Sequence, residues 1–194
     1  MRTLTRTSFI LALLQATAGL AAEAPAQSGL WAALRDGRHV ALVRHATAPG
    51  VGDPENFRVE DCSTQRNLSK AGRRQAQAIG ERFRANGIAR AAVYSSQWCR
   101  CLDTARLLGL GEVMPFAGLN SFFRDSGREA ASSDAVRALA VRESRPGRAL
   151  VLVTHQVNIT ALSGVYPAPG EIVVMRVEGT TLQAAGSLPG GAAN

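Results

Sequence analysis

The chain has 194 residues, of which 46% are hydrophobic and 19% charged, a composition that fits one globular domain and excludes a disordered or fibrous chain. Its formal net charge of +7 favours anionic partners. The basic residues are scattered arginines rather than a Lys/Arg block with interleaved aromatics, which argues against a nucleic-acid-binding surface.

The chain opens with Arg2 and Arg6, followed by the apolar, small-residue stretch SFILALLQATAGLAA. This is the layout of a secretory signal peptide, with cleavage after Ala22 or Ala24. The stretch is short and alanine-rich against the ~20 apolar residues of a membrane span. Residues 1–22 are therefore expected to be removed, leaving 23–194 as one periplasmic or secreted domain without membrane insertion. Loss of Arg2 and Arg6 lowers the net charge from +7 to +5.

After the signal, SGLWAALRDG reads as a short helix capped by Ser28 and stopped by Gly37, with Leu30, Trp31 and Leu34 on one apolar face. Val40 to Val43 is a buried strand that runs straight into Arg44 and His45, with His39 before it as a structural or surface residue. Residues 48–66 form a long loop with Pro49, Gly50, Gly52 and Pro54, of a length often tied to function. Ser69 caps a helix in which Ala76, Ile79 and Phe83 repeat at helical spacing before Gly87.

A second strand, AAVYSS, leads to a helix with Ser96 as its cap and Leu102, Ala105 and Leu108 facing the core. A loop, MPFAGLNSFFRDSGREA, follows, in which Phe122 and Phe123 read as core packing with substrate contact as the alternative. A helix over residues 133–143 comes next. ALVLVT is the third strand and ends at His155; EIVVMRV is the fourth, and TTLQAAGSL an edge strand. Strands alternating with helices imply a three-layer α/β/α sandwich with a mainly parallel sheet. Ligands of such sheets bind beyond the carboxyl ends of the strands. Arg44-His45 and Thr154-His155 both stand at such ends.

The three cysteines are Cys62, Cys99 and Cys101. An exported protein permits one disulfide, and residues two apart rarely bridge without strain, so Cys62 is expected to pair with Cys99 or Cys101. Three thiols with no nearby histidine make a poor zinc site. No other metal or cofactor is called for.

In order along the chain, LVRHA, LSKAGRRQA, VYSSQWCRCLDTA and LVTH resemble the motifs of the histidine phosphatase superfamily, whose fold is phosphoglycerate-mutase-like. The resemblance runs from Val40 to Val177. It implies that His45 is the nucleophile that becomes phosphorylated, that Arg44 and Arg100 hold the phosphoryl oxygens, and that His155 hydrogen-bonds the same group. The chemistry asks for these residue types. Neutral imidazole, with an ordinary pKa of about 6.5, is a good nucleophile, and its second nitrogen should donate to a fixed acceptor. Charge on a transferring phosphoryl group is met by positioned arginines, here helped by the N-terminus of the helix that carries Arg100.

The leaving alkoxide needs a proton, and the family usually places a carboxyl group near the pocket. Asp125 is preferred, ahead of Glu129, with Glu60 and Asp61 weaker. Gln156 follows the second histidine where the acid-phosphatase branch has an acid. Arg66 is read as a helix-capping neighbour that could reach the pocket rim. DCSTQRNLS, VYSSQWCRC and VTHQVNITALSG are similar to a small exported bacterial branch that includes lipopolysaccharide-core heptose phosphate phosphatases. The implied partner is a small phosphorylated substrate, such as a sugar or lipopolysaccharide-core phosphate. The competing reading is a catalytically weak or inactive phosphate-binding envelope protein.

Overall fold

The computed structural model describes residues 17–191. The signal-peptide expectation for residues 1–22 therefore lies largely outside the described residues. The first element, α1 (Thr17–Arg35), starts well before Ser28, which falls inside it instead of capping it. The alanines between Thr17 and Gln27 favour a helix, against the opposing preferences of Gly19 and Pro25.

A six-stranded sheet forms the middle layer, built from β1 (His39–Arg44), β2 (Ala91–Ser95), β3 (Val113–Pro115), β4 (Ala149–Thr154), β5 (Ile172–Glu178) and β6 (Thr181–Leu188). Their order is β3-β2-β4-β1-β5-β6. The first four strands run parallel, while β5 and β6 add an antiparallel edge. The layers outside are α1, α2 (Lys70–Ala85) and α3 (Cys99–Leu108) on one face, and α4 (Glu129–Glu143) with α5 (Gln156–Ser163) on the other. This is the expected α/β/α sandwich.

Side-chain alternation along the strands explains why both faces need cover. Ala41 and Val43 of β1, with Val151 and Val153 of β4, pack against Trp31, Leu34, Ile79, Phe83 and Leu108. Val40 and Leu42, with Leu150 and Leu152, pack against Val136, Leu139 and Ile159. Successive residues of a strand point to opposite faces, so a strand buried on both sides reads as an unbroken apolar run.

Several local expectations are corrected. Helix α3 begins at Cys99 after Trp98, and Ser96 does not cap it. The Ser96 hydroxyl sits instead against His155 and Asn120. Leu102 is half-buried. Helix α4 begins at Glu129, four residues before Ser133. Strand β3 and helix α5 fall where no element was expected. Of the phenylalanine pair, Phe122 is buried and Phe123 is 60% exposed.

The Ser69 cap holds: its hydroxyl accepts the Gly72 N–H. Cys62 pairs with Cys99, tying the loop before α2 to the first residue of α3. Cys101 is free and buried, and burial pushes its thiol pKa up to about 12, so it is an uncharged thiol at neutral pH.

Candidate active site

Parallel pairing of β1 with β4 puts Arg44 opposite Thr154, so the next residue on each strand, His45 and His155, leaves the sheet beside the other. The His45 N–H continues the ladder to the Thr154 carbonyl at 2.9 Å. Strand β2 flanks β4 on the other side and delivers the N-terminus of α3, with Arg100 as its second residue. Three adjacent strand ends thus bring together residues more than a hundred positions apart.

The backbone around His45 is fixed from three directions. Ala46 N–H donates to Thr104 Oγ1, and Thr47 N–H to Gln75 Oε1, each at 3.0 Å. The first turn of α2 lies so close that a Cβ on Gly72 would come within 2.0 Å of the Thr47 carbonyl oxygen, which is why this position accepts only glycine.

Hydrogen bonding assigns the protonation of both imidazoles. Arg100 Nε, an obligatory donor, lies 3.2 Å from His45 Nε2, so Nε2 carries the lone pair. His45 Nδ1 carries the proton and donates to the Ala46 carbonyl at 2.8 Å. Near His155, Asn120 Oδ1 can only accept, so it takes the Ser96 hydroxyl proton at 3.1 Å. Ser96 Oγ must then accept from His155 Nε2, 2.9 Å away. The two rings sit edge to face with centroids 5.5 Å apart. Burial, and next the charge of Arg100, hold both histidines well below the ordinary pKa of 6.5. His45 is therefore a neutral imidazole with its bare nitrogen exposed to the arginines.

Arg44, His45, Arg66, Arg100 and His155 line one cavity of about 350 Å³, and Asp125 stands on its rim. Arg44 Nη1 donates to the Pro167 carbonyl at 2.8 Å, while its buried Nε has no hydrogen-bond partner among the described residues. Arg66 is anchored by its Nε on the Gly52 carbonyl and by Nη1 on the Ala48 carbonyl. The guanidinium of Arg100 also lies over the Trp98 ring, 4.6 Å from its centroid.

The sequence reading missed Asp53. Its carboxylate takes Arg100 Nη1 at 2.8 Å and Nη2 at 3.1 Å, and the Arg66 N–H at 3.0 Å. Of the cavity's arginines only Arg100 sets its guanidinium on this carboxylate; those of Arg44 and Arg66 rest on backbone carbonyls, a balance that suits a further anion. The only signal in the sequence was an acid inside a long Gly/Pro loop.

The other acids separate by position. Asp125 is exposed, its backbone N–H on the Phe122 carbonyl. Glu129 opens α4 and does not line the cavity. Asp61 caps a short helical turn and pairs with Arg58, and Glu60 also lies outside the cavity. His39, for which a structural or surface role was expected, pairs with Asp36 away from the site. Gln156 lines the cavity and donates to Thr160.

Residues 40–120 match the histidine phosphatase superfamily (branch 1). The match takes in Arg44, His45, Asp53 and Arg100 and stops short of Asp125 and His155. No curated protein matches the chain. Among solved structures, the protein histidine phosphatase SixA complexed with tungstate superposes with a TM-score of 0.58 at 13% identity, over 78% of this chain and 97% of its own. The protein of open reading frame Rv3214 from Mycobacterium tuberculosis superposes with a TM-score of 0.57 at 20% identity, over 81% and 99%. A mycobacterial glucosyl-3-phosphoglycerate phosphatase, solved with inorganic phosphate, superposes with a TM-score of 0.55 at 18% identity, over 80% and 98%. At these identities the likeness is one of fold, which is phosphoglycerate-mutase-like.

Proposed function

We propose that this protein is a metal-independent phosphomonoesterase working through a phosphohistidine on His45. The observation that carries the reading is the pairing of His45 Nε2, bare and aimed into the cavity wall, with the Nε–H of Arg100. Arg44 and Arg66 stand in the same cavity.

In this reading the phosphoryl group of a bound ester lies between Arg44 and Arg100, whose N–H groups take its equatorial oxygens. Charge builds on those oxygens in the transition state, and fixed guanidiniums stabilise it without a metal ion. His45 Nε2 forms the N–P bond as the ester P–O bond breaks. The Nδ1–H stays on the Ala46 carbonyl and holds the ring in line. Asp125 gives its proton to the departing alkoxide, then takes one from the water that attacks phosphorus. The N–P bond breaks, and inorganic phosphate and neutral His45 are regenerated. His155 donates to a phosphoryl oxygen by sharing the Nε2–H that now rests on Ser96.

The mature chain, 23–194, is proposed to act in an oxidising exported compartment. The Cys62–Cys99 disulfide supports this, since such bonds persist there and are rare in a reducing cytosol. No helix among the described residues is long and apolar enough to cross a membrane.

The experiment is release of p-nitrophenol from its phosphate ester with excess chelator, beside His45→Ala. Chelator-resistant turnover that vanishes in the variant is the expected result. Equal turnover in both proteins overturns the assignment of His45, and a metal requirement overturns the mechanism.

A further inference from the structure

Four large hydrophobic side chains are exposed among the described residues: Val51, Phe123, Val141 and Tyr166. Three of them line the mouth of the cavity that holds His45. Val51 is 90% exposed, Tyr166 74% and Phe123 60%. They come from three separate connections: the loop after β1, the loop before α4, and the segment between α5 and β5. Scattered exposed apolar residues are unremarkable, but convergence of three loops on one mouth marks a surface shaped to be covered.

Some polar groups beside them are engaged within the protein, while the Asp125 and Arg128 side chains, which line the same cavity, make no hydrogen bond among the described residues. Ser121 Oγ accepts the Phe123 N–H, Gln156 donates to Thr160, and Arg124 Nη2 donates to the Asp53 carbonyl. An apolar body asks only for contact area.

Building on the phosphatase reading, we infer that the substrate is a phosphomonoester whose leaving group carries an apolar body, lodged against Val51, Phe123 and Tyr166. The phosphoryl end meets the arginines below, so the cavity sorts the two ends of an amphiphile. This departs from the sugar-phosphate expectation that the sequence resemblance carried. Soluble alkyl phosphates and lipid phosphates share this chemistry.

The test compares kcat/KM for ethyl, butyl and octyl phosphate and glucose 6-phosphate, with the alkyl esters below their micelle-forming concentrations. All four leave as primary alkoxides, so the series reads the body and not the chemistry. Each methylene taken out of water is worth about fourfold, so partial cover gives a rise of about tenfold or more from ethyl to octyl. Glucose 6-phosphate is expected to fall below octyl phosphate. Val51→Ser/Phe123→Ser should flatten the slope; both side chains are exposed, so the fold tolerates the change. Phosphatidate in phosphatidylcholine vesicles forms a second arm. Faster release from vesicles than from ethyl phosphate supports the same chemistry with a lipid source. A flat alkyl series with phosphatidate no better than ethyl phosphate overturns the inference, as does a slope that survives in the double variant. If p-nitrophenyl phosphate is still hydrolysed, only the inference fails; no turnover on any ester, p-nitrophenyl phosphate included, overturns the phosphatase reading with it.

Discussion

Asp53 holds Arg100 by both terminal nitrogens, at 2.8 and 3.1 Å, in an ion pair whose side chains are only 5% and 3% exposed. That grip leaves Nε as the one donor of Arg100 directed at His45 Nε2. In the proposed mechanism Asp53 is therefore a positioning residue: it aims the guanidinium that would meet His45 and the phosphoryl group.

Asp53→Asn should split the kinetic constants. Without the carboxylate, the Arg100 fork is free to turn, and kcat is expected to drop about tenfold or more, since alignment is lost at the reacting atom. KM should stay level or fall, because the pocket gains one net positive charge. A merely structural role would instead raise KM and lower kcat together. Steady-state kinetics on p-nitrophenyl phosphate separates the two. Breaking a buried pair by removing one partner costs about 3–5 kcal/mol, and the isosteric Asp53→Asn variant should lose stability in a urea titration.

The two buried histidines make stability depend on pH. Their folded pKa values lie well below 6.5, while the unfolded chain titrates near 6.5. Above that value both states are neutral and the stability is fully present. As pH falls below it, the unfolded chain gains protons that the folded chain refuses, so stability is lost toward the folded pKa. The slope is roughly 1 kcal/mol per histidine per pH unit. Denaturant midpoints at pH 7, 6 and 5 should fall in step. His155→Gln should make the decline shallower; an unchanged slope would mean that His155 is protonated in the folded protein.

How much of this could be read from the chain depended on the range of each signal. Arg44-His45 and His155 were legible because each ends an unbroken apolar run, and a two-sided buried strand must stop at the ligand end of the sheet. Arg100 was legible only through the order of motifs. Asp53 was not, because its meaning lies in a partner 47 positions away and its own neighbours spell only a turn. Strand β3 is three residues long and ends at Pro115, too short for a periodic pattern. Helix α5 reads QVNITALS, in which β-branched residues hide an eight-residue helix that tertiary packing makes. The choice between Cys99 and Cys101 also waited for the fold: as α3 is placed, Cys99 faces the first loop and Cys101 the core.

Removing the disulfide should loosen the site before it unfolds the protein. Cys62 and Cys99 are 37 residues apart in sequence, and in the chain-entropy view their link is worth roughly 4 kcal/mol. Cys99 is also the neighbour of Arg100, and its N–H is held by Gln65 at 2.9 Å. Cys62→Ala/Cys99→Ala is expected to lower the melting temperature by several degrees and to raise KM, as the loop bearing Asp53 and Arg66 gains freedom. Assay in the presence of dithiothreitol should move the wild type toward the same values. Unchanged KM in both would show that hydrogen bonds alone hold the loop.

Gly72→Ala tests whether the packing of α2 positions His45, the proposed nucleophile. In an isolated helix, alanine would be favoured over glycine by about 1 kcal/mol. Here the added methyl would come within 2.0 Å of the Thr47 carbonyl oxygen, so backbone two residues from His45 must move. The same segment is tied through Thr47 to Gln75 and through Ala46 to Thr104, so the displacement reaches the Ala46 carbonyl that holds His45 Nδ1–H. The expected outcome is a drop in kcat of about tenfold or more, with the far-ultraviolet circular dichroism of a folded α/β protein retained. Gly147→Ala is the comparison: its Cβ meets nothing within 4 Å, and its strain comes only from a φ of +72°, far from the site. That variant should lose stability and keep kcat. If both variants lose the same activity, global strain and not the contact between α2 and the His45 segment is responsible.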